Sequence, residues 1–193
     1  IHQVIKKGHL ISNHDFNTHP LSFAKNTMNF ALSPADLQLP LNSATANIIQ
    51  VIPNHIETEH LVEPVSIHNG NFCPDPSNDQ LKMVVVERHH HTGKIGKAIV
   101  KGFNLTHGAV ASSIAHDSHN IIAAGDNDED LLCAIKELEL CGGGIAVCSA
   151  GKILYSLPLP IAGLLSDKSA ADFIKAHSKI TAIAFNLGVN KNI

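Results

Sequence analysis

Between Leu81 and Glu87 the chain carries four consecutive apolar residues, Met83-Val84-Val85-Val86. An unbroken Val-rich run of this length marks a strand buried on both faces, so cover is needed on two sides of a sheet. The 193 residues are 44% hydrophobic and 16% charged, which fits a soluble globular fold of one domain, or one domain with a short appendage. With seven Phe, one Tyr and no Trp, the core must be built from Ile, Leu, Val and Ala.

Around that strand the elements can be read in order. Val4 to Ile11 predicts two short strands about a Lys7-Gly8 turn. Ser12 to about Ser43 is polar and without period, broken by Pro20, Pro34 and Pro40. It reads as a connecting segment, with short helical turns near Ser33-Pro34-Ala35-Asp36. Strands are expected at Asn47–Ile52, Glu63–His68, Leu81–Glu87, Ala98–Phe103, Gly108–Ile114 and Ile121–Ala124. A helix then opens at Asp126-Asn127-Asp128-Glu129-Asp130, whose acidic first turn suits the positive end of the helix dipole, with Asp126 or Asn127 as cap. Leu131, Leu132, Ile135, Leu138 and Leu140 form most of its apolar face. Gly142-Gly143-Gly144 ends it, Ile145–Cys148 and Ile153–Leu157 return as a hairpin about Ala150-Gly151, and Ser169 caps a last helix reaching about Leu187. The mixture predicts α/β or α+β, a mixed β-sheet with flanking helices.

Several function classes are disfavoured. The formal net charge of −3 gives no electrostatic reason to expect nucleic acid or an anionic membrane. No apolar run approaches the roughly 20 residues of a membrane span. Cys73, Cys133, Cys141 and Cys148 form no CxxC pair and read as buried free thiols of a reducing cytoplasm. Ile1 is not Met, so residue 1 is expected not to be a natural start. Thr92-Gly93-Lys94-Ile95-Gly96-Lys97 lacks the Walker pattern and reads as a Gly-rich turn. Asp126-x-Asp128-x-Asp130 with Glu137 mimics a calcium loop, but Leu131 stands where its glycine belongs. His55-Ile56-Glu57 is half of a zinc-deaminase signature without the PCxxC half.

Fourteen histidines are many for this length. Single ones such as His2, His9, His14, His19, His68 and His177 read as surface or turn residues. Two places are denser. His116-Asp117-Ser118-His119, followed by Asn120, falls at a corner between two apolar strands. There His116 and His119 could hold a divalent metal or, with Asp117 and Asn120, hydrogen-bond a polar ligand; the alternative is a corner whose polar groups satisfy its own turn. Glu87-Arg88-His89-His90-His91 leaves the buried strand with side chains alternating across the sheet end. Arg88 could clamp an anion or pair with Asp117, and His89 or His91 could face a site.

The segment Gly108 to Ile122, with Ser112-Ser113-Ile114-Ala115-His116-Asp117-Ser118-His119-Asn120 at its centre, resembles a signature of the adenine deaminases of the amidohydrolase superfamily. Val85-Val86-Glu87-Arg88-His89, Lys101-Gly102-Phe103, Asn127-Asp128-Glu129-Asp130, Leu157-Pro158-Leu159-Pro160-Ile161-Ala162-Gly163-Leu164 and Ile52-Pro53-Asn54 with Thr58-Glu59 are similar in the same order. Val4 to Ile11 is similar to a strand of the small β domain flanking the family's barrel. The resemblance implies two parts: residues 1–43, the end of that β domain and a connecting segment, and residues 44–193, the C-terminal domain. It implies hydrolysis of adenine to hypoxanthine and ammonia in an intact enzyme, by hydroxide on a divalent metal (manganese, iron or zinc). The metal ligands of that superfamily sit on a barrel of about 250 residues, for which this chain has no matching motif. It starts beyond where the barrel should end and stops short of the family's usual finish. The expectation is therefore a cytoplasmic, homo-oligomeric enzyme whose C-terminal part, alone, is not catalytic. Arg88, His89, His116, Asp117, His119 and Asn120 would line or close the substrate mouth. A structural or oligomerisation module, or a purine-binding one, is the rival.

Overall fold

A computed structural model describes residues 3–12 and 28–192. Pro20 and the expected surface histidines His2, His14 and His19 lie outside these residues; His9, His68 and His177 are exposed as expected.

β1 (Val4–Lys6) and β2 (His9–Ile11) form an antiparallel hairpin with Val4, Ile5 and Leu10 exposed. After a 3-10 turn at Pro34–Leu37 come β3 (Thr45–Val51) and β4 (Thr58–Pro64), then the small hairpin β5 (Ser66–His68) and β6 (Asn71–Cys73). β7 (Leu81–Val86), β8 (Ile95–Lys101), β9 (Ala109–Ser112) and β10 (Ile121–Gly125) lead to helix α1 (Asp128–Cys141). β11 (Gly144–Ser149), β12 (Lys152–Pro158) and helix α2 (Ala170–Asn186) complete the order. Eight strands make one sheet in the order β12-β11-β9-β10-β7-β8-β3-β4. β3 and β8 run parallel and the other neighbours antiparallel, so the sheet is mixed and the fold α+β.

β7 lies inside this sheet, which is why its sequence is continuously apolar. Val84 and Val86 face α1 and pack with Ala109, Ala111, Ile121, Ala123, Leu131, Ala134, Ile135 and Leu138. Leu81 points the other way, into a cluster with Val100, Val147, Leu157 and the α2 residues Ala176 and Ile180. Each fully buried Leu or Ile contributes about 1.5–3 kcal/mol, so this two-sided packing is the main source of stability. Alanines under α1 let the helix approach closely; a Cβ on Gly125 would meet Ala109 Cβ at 2.8 Å and Leu131 Cγ at 3.0 Å.

Asn127 is the α1 cap, accepting from the Asp130 amide at 2.8 Å. Asp126 instead accepts from the Gly108 amide. Lys82, buried on the α1 side, pairs with Asp128 in the first turn of α1 at 2.5 Å. Asp130 turns inward and takes hydrogen bonds from the Asn127 side chain, the Gly151 and Ala150 amides and the Cys148 thiol. The acidic run thus ties the helix to the sheet and to the β11–β12 turn.

Five expectations need correction. Leu140 is 82% exposed, because it sits about 200° round the helix from Leu138 and leaves the apolar stripe. Cys148 is buried and Cys133 and Cys141 half-buried, but Cys73 is exposed at the end of β6. The strand expected over Glu63–His68 is split, since Val65 leaves the ladder and donates its amide to Ala44. β6 was without a sequence signal. The Gly-rich turn ends at Lys94, and Ile95-Gly96-Lys97 already belong to β8. In the stretch read as connecting, Met28, Phe30 and Leu37 are buried against α1 and the sheet.

Burial alone would raise the Asp130 pKa, yet its hydrogen bonds outweigh burial and hold it below the ordinary 3.8. A depressed folded pKa gives stability that is present above the ordinary value and lost as pH falls through the folded one. Asp130→Asn should therefore cost about 1–3 kcal/mol at pH 7, with the difference from the parent shrinking as pH drops below 3.8. Thermal unfolding of both proteins across that range checks this.

Candidate functional site

The register brings the sequence motifs to one end of the sheet. Val86 is opposite Ile121, Ile122 opposite Ser112, Ser112 opposite Ile145, and Gly144 opposite Pro158. Residues following β7, β9 and β12 therefore meet those preceding β10 and β11. The incoming chain reaches the same end. Asn29 donates its amide to the Arg88 carbonyl at 3.1 Å, and His91 Nδ1 donates to the Asn29 carbonyl at 3.1 Å.

Among the described residues Arg88 is the largest fully buried side chain, 1% exposed. Its Nε donates to the His119 carbonyl at 2.6 Å and its Nη2 to the Ala162 carbonyl at 2.9 Å. Burial lowers its pKa, but a guanidinium keeps its charge in proteins. Gly163 lies directly against it; a Cβ there would come within 3.0 Å of both terminal nitrogens. Beside it Ser113, fully buried, donates to the Gly163 carbonyl at 2.6 Å and accepts from the Gly144 amide at 2.7 Å. Gly143 completes the contact, since a Cβ on it would meet Gly163 Cα at 2.4 Å.

This interlock holds the candidate residues. His89 Nε2 donates to the Ser118 carbonyl at 3.0 Å, tying the histidine run to the corner. His90 is exposed and His91 turns to Asn29, so the three histidines diverge as their alternation required. Their turn is organised by Glu87, whose carboxylate accepts from the amides of His89, His90 and Thr92 and from the Thr92 hydroxyl. The Thr92 amide, with help from the others, pulls the Glu87 pKa down to about 2 against partial burial. His116 and Asp117 pair with each other and are 85% and 93% exposed. Asp117 therefore turns to His116 and not to Arg88, correcting the expected pair, because the buried guanidinium is engaged with carbonyls beneath the corner. The rings of His116 and His119 stand edge to face with centroids 5.5 Å apart. His119 Nδ1 and Asn120 Oδ1 are buried without a hydrogen-bond partner. Unmatched buried polar atoms of this kind are costly.

A metal fits this corner poorly. Among the described residues no three His, Cys, Asp or Glu side chains converge as a metal site, and the corner offers His116 and His119 without a third ligand. The β3–β4 edge of the sheet carries a cleft of about 570 Å³ near Leu41, Ile48, His60 and Lys97. Its polar groups are self-satisfied: His60 Nε2 bonds Asn47 Oδ1 at 2.8 Å, and Lys97 Nζ donates to the Asp36 carbonyl at 2.9 Å. The sequence pattern did not single out Ser113, whose hydroxyl bridges two backbone groups, or Ala162, Gly143 and Gly163, which act through a carbonyl or through the lack of a side chain.

Fold and site together define an α+β domain with one locked, histidine-rich strand-end corner. A family model described as the adenine deaminase C-terminal domain matches residues 55–193. An adenine deaminase of Listeria monocytogenes serotype 4b is 53% identical over 76% of this chain, which corresponds to 26% of that relative's length. One from Halalkalibacterium halodurans is 55% identical over 69% of this chain and 23% of its own length. One from Geobacillus kaustophilus is 41% identical over 98% of this chain and 34% of its own. The chain belongs to the adenine deaminase C-terminal domain family, and it spans about a quarter to a third of the length of these curated relatives.

Since the folded Glu87 pKa is depressed, its contribution to the histidine turn should be full above the ordinary 4.5 and be lost as pH falls from there through about 2. Glu87→Gln should accelerate amide exchange at His89, His90 and Thr92 at neutral pH while leaving Ile121–Gly125 protected, as read by NMR.

Proposed function

We propose that this chain is the C-terminal accessory part of a cytoplasmic adenine deaminase, a hydrolase of purine metabolism that converts adenine and water to hypoxanthine and ammonia. The observation that carries this reading is convergence. The segments around Arg88, His116–Asn120 and Ala162-Gly163, far apart in sequence, meet at the end of the sheet where the incoming chain also arrives. The divalent metal, manganese, iron or zinc, belongs to the remainder of the intact enzyme, whose barrel is this chain's first partner. His116, Asp117, His119 and Asn120, backed by Arg88 and His89, border the substrate mouth and help to close it around adenine. The imidazole of His119 and the amide of Asn120, unmatched in this domain, complete their hydrogen bonding there. Self-association of the enzyme as a homo-oligomer is part of the same reading. No helix among the described residues is long and apolar enough to cross a membrane.

This chain alone should release no ammonia from adenine with manganese, iron or zinc added, while the intact enzyme is active beside it. In the intact enzyme His119→Ala should lower kcat/KM about tenfold or more, the loss of roughly one well-made hydrogen bond to a charged or buried partner. Unchanged kcat/KM would reduce the domain to a structural or oligomerisation module. Turnover by this chain alone would contradict the assignment of the chemistry to the remainder.

A further inference from the structure

We infer that Arg88 is a positioning residue: its planar, buried guanidinium sets the His116–Asn120 corner against the 158–165 loop, so that one side chain fixes the relative placement of both. Two carbonyls on different segments take its hydrogen bonds, His119 at 2.6 Å and Ala162 at 2.9 Å. Both carbonyls belong to non-glycine residues in the left-handed region, with φ of 49° and 58°. Such backbone is unfavourable and persists only where the surroundings over-determine it. Here the surroundings include the guanidinium and, one residue beyond Ala162, Gly163 with φ of 73° lying within contact of it.

The arrangement asks for arginine in particular. Nε and Nη2 diverge in a fixed plane and serve two acceptors at once, whereas a lysine ammonium is a point donor on a flexible stem. Gly163 lies against the guanidinium and Gly143 packs on Gly163 in turn, with Ser113 bridging Gly163 and Gly144 alongside. The exposed side chains of His116 and Asp117 pair with each other, and Arg88 holds the corner through the His119 carbonyl. Arg88, 1% exposed, lies beneath the corner and not at its surface. It acts by holding a surface in place, and Gly163 is its counterpart on the opposite segment.

The kinetic part of the inference rests on the proposed role of the corner, while the structural part does not. Two measurements on the intact enzyme separate them, using Arg88→Lys and, because a buried lysine can compromise folding, Gly163→Ala as a second variant that leaves the cation in place. Hydrogen–deuterium exchange should speed up in peptides covering 114–121 and 159–165 together, with β7 and α1 unchanged. KM for adenine should rise about tenfold, with kcat and metal content little altered. Faster exchange in only one of the two segments, or in neither, overturns the positioning role. So does a uniform acceleration across the domain with kcat, KM and thermal midpoint failing together, which is the signature of a purely structural arginine. Coupled loosening of both segments with KM unchanged supports the positioning role and instead refutes the corner's place at the substrate mouth. His119→Ala, run in parallel, would then be silent as well.

Discussion

Arg88 is a cation taken out of water, and removing such a group costs several kcal/mol unless its donors are matched. The strand-end of this domain is organised around meeting that requirement. Carbonyls of the β9–β10 corner and of the loop after β12 turn inward to accept from it, and Ser113 satisfies the neighbouring backbone groups. Gly143 and Gly163 matter because any side chain would hold the two segments apart. The exposed histidines above are surface features, but their position is decided underneath.

The opposite end of α1 obeys the same logic with opposite charge. Asp130 is buried at the first turn of the helix and receives two amides, a side-chain amide and a thiol. Lys82 and Asp128 fasten the same helix end to β7. Between these two polar fastenings the contact of α1 with the sheet is mainly aliphatic, with one hydrogen bond from the Ser156 hydroxyl of β12 to the Glu137 carboxylate at 2.7 Å. The fastenings fix the register of the helix, and the aliphatic layer supplies most of the stability.

Much of this was legible in the sequence because it is periodic. The unbroken run at Met83–Val86 announced a strand with cover on both faces, and Asp126 or Asn127, and Ser169, announced two helix starts, which Asn127 and Ser169 cap. The hairpin about Ala150-Gly151 was equally plain. What escaped was aperiodic: Met28, Phe30 and Leu37 pack individually from a stretch without pattern, and β6 is three residues long. Leu140 looked like a core residue by composition and is not one by angle. At the candidate site, the motif marked the corner, but the contacts that shape it run from side chains to distant carbonyls. Hence Arg88 looked available to Asp117, when it is committed to the backbone beneath.

Under the proposed function, the Arg88 end of the sheet faces the catalytic portion of the intact enzyme. The most direct test is a crystal structure of the intact enzyme with a non-hydrolysable adenine analogue bound. The account predicts the His116–Asn120 corner in the wall of the substrate pocket, with His119 Nδ1 and Asn120 Oδ1 hydrogen-bonded to the catalytic portion or the analogue. A structure in which this end of the sheet faces solvent or a second copy, remote from the analogue, would contradict it.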